Sequence, residues 1–307
     1  MSSLDSTDLA GISTNDQDIY LFYQRSGNIV EAFTEQESSP PTESVNVASD
    51  AQNNGSPLTA YYVKEDQDHD KKSTIHLIYI NKDRTLVEKV RVLPGEDWQD
   101  APKPPGEAVD QSRICSDVSQ IDRGPDSPPG SQWVYFTSQE GNKLPLTELR
   151  RNNKGNFHIE RVLPEKSLSL PGTHLACVVT RERVDVYHQD HDKNIKLWRH
   201  ETQKSSSWED MGTVVEGRKV MVNTPLAAVN KDGMNHLIYA DNQMKIMDMV
   251  EGKTIQVASR IYGNAGINAI PYKDRVVLFY KLIDPVGAIG TASYRDGKWK
   301  EEGPFIK

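Results

Sequence analysis

One short stretch recurs six times along this chain, so any fold it adopts must house six copies of one unit. The copies read Leu9-Ala10-Gly11-Ile12, Leu58-Thr59-Ala60-Tyr61, Ile114-Cys115-Ser116-Asp117, Leu175-Ala176-Cys177-Val178, Leu226-Ala227-Ala228-Val229 and Ile267-Asn268-Ala269-Ile270. An aliphatic residue opens each copy, and the third position is always tiny: Gly11, Ala60, Ser116, Cys177, Ala228 and Ala269. The copies lie 41 to 61 residues apart. Periods of roughly 40 to 50 residues with several short strands each mark propeller blades.

Each copy leads into a strand rich in β-branched and aromatic residues, such as Ile19 to Gln24, Ile75 to Ile80, Trp133 to Thr137 and Val276 to Tyr280. Such residues suit a pleated, buried surface. A polar turn follows (Arg25 to Asn28, Asn81 to Arg84, Asp190 to Asn194, Asp241 to Gln243), and its residue types close hairpins. A third strand then alternates, and a fourth ends near Trp98, Phe157, Trp208 or Trp299. The arithmetic predicts an all-β chain: one six-bladed β-propeller domain over 1–307. It has about four antiparallel strands per blade, and the blades start near residues 9, 58, 114, 175, 226 and 267. The tiny third position has a cause in this fold, because innermost strands crowd one another at the axis and only small residues fit. No 12-residue window sustains a helical period. The pattern leaves ring closure open, since the strand at Trp299 to Ile306 and the strand at Leu9 can each belong to a complete blade.

Composition narrows the partners. The formal net charge is −8 and no Lys/Arg cluster outweighs its acids, which argues against nucleic acid. No apolar run is long enough to span a membrane, and Met1 to Ile19 lacks the regions of a secretory signal, so the expected location is cytoplasmic. Cys115 and Cys177 occupy the second and third repeat positions. Neighbouring strand positions face opposite sides, so small buried thiols are expected rather than a disulfide. Two loops interrupt the pattern: a proline-rich one, Ala101 to Gly130 with Pro125 among its prolines, and a charged one, Lys64 to Lys72, expected to be mobile.

The two first units carry a further pattern: two small residues and an aliphatic, a strand ending Phe22-Tyr23-Gln24, a Gly-containing turn, then Ile29-x-Glu31. It recurs through Asn81-Lys82-Asp83, Leu86, Glu88 and the blade end at Trp98. In this the chain resembles the fungal fucose-specific lectins, a six-bladed propeller family. The resemblance implies sugar sites gripped by an Arg at the start of the second strand and a Glu on the third. The Arg position here holds Tyr20, His76, Trp133, Asp185, His236 and Val277. The acid persists as Glu31, Glu88, Glu148 and Asp248, with Leu197 in the fourth unit. A carboxylate without a guanidinium lacks its bidentate partner, so Glu31, Glu88 and Glu148 are read as solvated blade edges. The chain is also similar to the fungal hetero-Diels-Alderases, pericyclases that share this fold and lack the sugar residues.

The resemblance to the pericyclases implies a cofactor-independent enzyme of secondary metabolism. Its reaction would join an ortho-quinone methide to a terpene alkene in an apolar cavity by hetero-Diels-Alder cycloaddition. The alternative is a lectin-like sugar-binding module of altered specificity. The enzyme reading casts Asp117, Tyr61 and His236 as donors to the growing oxyanion and Tyr20, His76, Trp133, Asn268 and Tyr272 as substrate contacts. The substrate would be a small hydrophobic polyketide or terpene, and no cofactor or metal is expected. The acidic clusters Asp66 to Asp70 and His188 to Asp192 lack metal-loop spacing and are read as solvated turns. Because the six Arg-equivalent positions hold different residues, one asymmetric site is expected rather than six equal ones.

Overall fold

A computed structural model of the chain describes residues 7–307 apart from 16, 36–39, 53–54, 125–126, 142, 165–167, 202–206, 260, 264 and 286. Pro125 of the proline-rich loop lies outside the described residues. The first blade comprises β1 (Leu9–Thr14), β2 (Asp18–Arg25), β3 (Asn28–Thr34) and β4 (Thr42–Ala48). The second comprises β5 (Leu58–Asp66), β6 (Lys72–Ile80), β7 (Leu86–Val92) and β8 (Gln99–Asp100). The third has β9 (Ile114–Ser119), β10 (Ser131–Thr137), β11 (Leu146–Asn152) and β12 (His158–Val162). The fourth has β13 (Ala176–Val179), β14 (Arg183–Gln189), β15 (Ile195–Glu201) and β16 (Glu209–Val215). The fifth has β17 (Leu226–Lys231), β18 (Met234–Ala240), β19 (Ile246–Val250) and β20 (Lys253–Ala258). The sixth has β21 (Asn268–Tyr272), β22 (Arg275–Lys281), β23 (Ile289–Arg295) and β24 (Lys298–Ile306). Each blade is one antiparallel four-stranded sheet in chain order, and no α-helix occurs among the described residues. The fold is the six-bladed β-propeller that the repeat predicts.

The blades pack face to face, which explains why the second strands are apolar on both sides. Every residue of β10 is buried, as are six of the seven of β22. Six apolar clusters fill the six seams between neighbouring blades, one per seam. Side-chain turns set the hairpins: the Asn81 amide oxygen accepts from the N–H groups of Asp83 and Thr85 at 3.0 Å each, and the Asp241 carboxylate accepts from Gln243 and Lys245 at 2.8 and 2.9 Å. In the first blade Ser26 and Gly27 both take positive φ, the twist a two-residue hairpin needs.

At the axis the second position of each repeat meets the third position of the following blade. Thr59 Oγ1 lies 2.6 Å from Ser116 Oγ, and Asn268 Oδ1 accepts from Gly11 N at 2.9 Å. A Cβ on Gly11 would sit 2.7 Å from that Asn268 oxygen and 3.2 Å from the Phe279 ring, so a side chain there would displace the Asn268 amide. Ala10 with Ala60, Ala176 with Ala228 and Ala227 with Ala269 share seam clusters in the same way. The ring closes through Asn268–Gly11 and through Ser13 Oγ donating to Pro271 O at 2.6 Å. Each blade is complete from contiguous chain, so closure uses no shared strand. Cys115 and Cys177 are both buried and free, as expected, and because they point to opposite sides of their own strands they meet across the seam.

The charged stretch at Lys64 to Lys72 is built in, contrary to expectation. β5 runs to Asp66, whose carboxylate accepts from Asp68 N at 3.0 Å and caps a 3-10 turn over Gln67–His69. Asp66 is buried by the groups it binds, and so is His188, both of which the sequence reading placed on solvated turns.

A second repeated device escaped the sequence reading. A hydroxyl residue stands two positions before five of the six repeats: Thr7, Ser56, Ser112, Thr173 and Thr224, with Ala265 in the sixth. All are buried. Their oxygens accept from the end of their own blade's second strand in four cases, from Gln24 N (2.5 Å), Thr137 N (3.0 Å), Gln189 N (2.8 Å) and Ala240 N (2.8 Å). Ser56 instead donates to Ile80 O at 2.6 Å. These clamps tie the entry of each blade to its middle. Thr224 both accepts from Ala240 N and donates to Ala240 O at 2.9 Å. Thr224→Val keeps the shape and orphans both groups, and it is expected to cost about 1–3 kcal/mol, measured by urea unfolding.

Candidate functional site

Two kinds of concavity are built by this ring. The first lies on the axis. All six tiny third positions line a funnel of about 500 Å³ that opens where the innermost strands end. Toward the strand starts it narrows to a cavity of about 60 Å³ walled by Asp8, Arg113 and His174. Asp117 and Asn268 line the wide part, together with Tyr62 and Asn230. The Asp117 carboxylate accepts from Val118 N at 2.8 Å and from Val179 N in the next blade at 2.6 Å. Burial pushes its pKa up to about 6, and those two N–H groups offset only part of the shift.

The second kind lies at the seams, and strand register shows why. In every blade the Arg-equivalent residue of the second strand sits two positions before the residue that pairs with the third-strand acid. Tyr20 pairs with Phe33 and Phe22 with Glu31; His76 pairs with Val90 and Ile78 with Glu88. With a period of two, these side chains share one blade face and look into the following seam. The six third-strand positions are Glu31, Glu88, Glu148, Leu197, Asp248 and Thr291.

All four acids are buried, which corrects the reading of Glu31, Glu88 and Glu148 as solvated edges. The missing guanidinium is also present, delivered from another strand. Glu31 receives Arg91 Nη1 at 2.8 and 3.1 Å and Trp98 Nε1 at 3.0 Å, both from the second blade. Glu88 receives Arg151 Nη2 at 2.6 Å from the third blade and faces His76 Nδ1 at 2.8 Å. Glu148 accepts from Tyr135 Oη at 2.8 Å and pairs with Arg161 Nε of its own blade at 3.4 Å, with Trp208 edge-on to Tyr135. Asp248 faces His236 Nδ1 at 2.8 Å and accepts from Trp299 Nε1 at 3.0 Å.

Electrostatics differ sharply between these equivalent positions. At Glu88 burial alone would lift the carboxyl, but Arg151 and His76 outweigh it and hold the pKa down at about 2. Glu148 goes the other way, because burial outweighs Arg161 and Tyr135. Asp66 joins the Glu88 network, accepting from Thr74 Oγ1 at 2.8 Å and facing His76 Nε2 at 3.0 Å. His76 therefore bridges two carboxylates. Burial opposes the charge on Asp66, and His76 and Thr74 overcome it to hold the carboxyl well below the usual range. Outside this network a cavity of about 300 Å³ opens between the second and third blades, lined by Asp66, Asp68, His69, His76, Asp100 and Arg151. No group of three or more ligating side chains arranged for a metal ion occurs among the described residues.

The residues singled out in the sequence thus fall in different places. Asp117 and Asn268 face the funnel. Tyr61 touches its wall, but its hydroxyl is turned into the seam, donating to Glu88 at 2.9 Å and to Gln132 at 2.8 Å, with its ring stacked on His76. Tyr20 lies at the first seam, Trp133 at the third beneath Arg123 and Arg150, and His236 at the fifth. Tyr272 is enclosed at the closing seam, its hydroxyl on Gln17 O at 3.1 Å. Arg91 and Arg151 were missed. Each sits one place after the partner of the Arg-equivalent residue, a signal visible only once the register is fixed.

No protein-family model matches the chain, and no curated protein is similar to it in sequence. Solved structures similar to it in fold include the fucose-specific lectin from the fungus Aleuria aurantia, at 19% identity over 99% of this chain and 96% of that one, with a TM-score of 0.79. AofleA from Arthrobotrys oligospora is similar at 17% identity over 97% and 86% of the two chains, with a TM-score of 0.77. The BP39L lectin from Burkholderia pseudomallei shares 12% identity over 94% and 81%, with a TM-score of 0.70.

The Glu88 network yields a pH test. Its folded pKa lies below the ordinary value of 4.5, so its contribution is full above pH 4.5 and is lost as pH falls toward 2. Arg151→Met would leave that carboxylate buried without its guanidinium, beside only His76 and Tyr61, expected to cost up to about 3–5 kcal/mol at pH 7. As pH falls below the ordinary 4.5 the carboxyl protonates, so the gap between variant and parent should narrow between urea melts run at pH 7 and in acid.

Proposed function

We propose that this chain is a lectin-like carbohydrate-binding propeller of altered specificity, with few and unequal sites at its blade seams. The observation that carries this reading is the trio Glu31, Arg91 and Trp98. A sugar offers vicinal hydroxyls that donate to a carboxylate and accept from a guanidinium, and a flat C–H face that packs on an indole. All three chemistries meet at one seam, with Arg91 partly exposed. The solved structures similar in fold support a sugar ligand, since one is named a fucose-specific lectin and another, SapL1, is described in complex with α-methyl fucoside.

The specificity differs because the guanidinium enters from the opposite wall of the seam. A donor moved across the site meets a different pair of hydroxyls. The second seam keeps an acid and an arginine beside its cavity, with Phe157 under Arg151 in place of an indole. The third keeps Glu148 with Arg161 and Trp208. The fifth has an acid and an indole, with a histidine in place of the guanidinium. The fourth and sixth lack the third-strand acid, and the fourth instead holds Asp185 of the second strand, paired with Arg199. Three seams therefore combine a third-strand acid with a guanidinium. Glycan arrays followed by calorimetry are expected to show one to three sites per chain. Arg91→Ala should weaken the tightest by at least about tenfold, the scale of one charge-assisted hydrogen bond. Equal sugar binding by parent and Arg91→Ala would refute this assignment.

A second reading draws on the funnel. A cofactor-independent hetero-Diels-Alder cyclase, joining an ortho-quinone methide to a terpene alkene, needs one water-poor cavity and a donor where negative charge grows. Asp117, with its raised pKa, supplies a candidate donor in a concavity that all six blades line. This reading expects one hydrophobic ligand per chain, activity unchanged by EDTA, and a decline as pH rises through about 6, where Asp117 loses its proton. Turnover that is flat across that pH range would rule out Asp117 as the acid.

A further inference from the structure

The axial contacts follow one rule, and one pair in that ring has chemistry of its own. Apart from Asn268 with Gly11, second and third positions of successive blades meet as like with like: Thr59 with Ser116, Ala227 with Ala269, and Cys115 with Cys177. The two thiols lie in one buried cluster at the third seam and both line the narrow axial cavity of about 60 Å³. They stand where the hydroxyls of Thr59 and Ser116 approach to 2.6 Å one seam earlier.

We propose that Cys115 and Cys177 form a cross-linking site, a dithiol that small oxidants entering along the axis convert to a disulfide stapling the third blade to the fourth. With a peroxide the two S–H bonds break and one S–S bond forms. Two electrons pass from the sulfurs to the peroxide, whose O–O bond breaks, and the two protons leave in the two waters produced. Burial and the neighbouring Cys115 hold the Cys177 thiol well above its ordinary range, so the thiolate is scarce and the reaction is slow at neutral pH. The staple would close a loop of 62 residues, the separation of the two cysteines, and constrain the unfolded chain accordingly.

The test treats the folded protein with hydrogen peroxide, alkylates remaining thiols before unfolding, and maps peptides without reduction. The expected result is a peptide linking Cys115 to Cys177, formed faster as pH rises toward 9. A rise in Tm of roughly 5 °C, reversed by dithiothreitol, should accompany it. Cys115→Ser should abolish both, and the Thr59–Ser116 pair shows that a hydroxyl is tolerated at such a contact. Cys177→Ala, which places there the residue found at Ala60, Ala228 and Ala269, gives a second variant with the same expected loss. Separate alkylation of both cysteines, or oxidation to sulfinic acids without a linked peptide, would overturn the proposal.

Discussion

The ring rests on crowding at its axis. Six innermost strands converge, and the side chain at the second position of one blade must fit beside the third position of the next. That contact fixes the spacing of the blades, and every seam widens outward from it. Where the second position is large, its neighbour is small: Asn268 faces Gly11, and a Cβ there would push the Asn268 amide aside. Where both are hydroxyls they hydrogen-bond, and where both are alanines they pack. The aliphatic opening residue and the hydroxyl two places before it then tie each strand into its own blade, so one six-residue window carries both the radial and the lateral constraint.

This architecture explains why the polar chemistry collects at the seams. A strand with both faces covered has little room for charge, and a buried ion is costly unless paired. Each third-strand acid therefore finds a donor close by. Arg91 and Arg151 reach back across a seam, Arg161 comes from the adjacent strand, and Trp98 and Trp299 offer indole N–H groups from the following blade. The tie between blades and the groups proposed for recognition are the same atoms. A substitution at one of these acids would touch stability and, on the proposed reading, binding together.

The fold was legible because it is written six times. Strand order, blade count and the small third position all follow from the repeat. Ring closure did not, because a closing contact between Gly11 and Asn268 joins the two ends of the chain and leaves no local pattern. The hydroxyl clamps at Thr7, Ser56, Ser112, Thr173 and Thr224 were visible in the sequence, but their role depends on where the second strand ends. The candidate site was less legible. The acids stood out, yet they were taken for exposed because an absent arginine on the same blade was read as no arginine at all. Arg91 and Arg151 look like ordinary polar positions of alternating strands until the neighbouring blade is in place.

The third-strand acids show how far equivalent positions have diverged. Glu88 and Glu148 hold the same register position, yet one carboxyl is driven down and the other up. The difference lies in the donor that reaches them: a guanidinium in close contact with a histidine beside it, against a phenol and a longer ion pair. At neutral pH a ligand hydroxyl would meet a firmly charged acceptor at the second seam and a more readily protonated one at the third. Two positions of one repeat thus differ in how firmly they hold their charge. A ring of identical lectin pockets would keep these environments alike, so the seams of this propeller are unequal in chemistry.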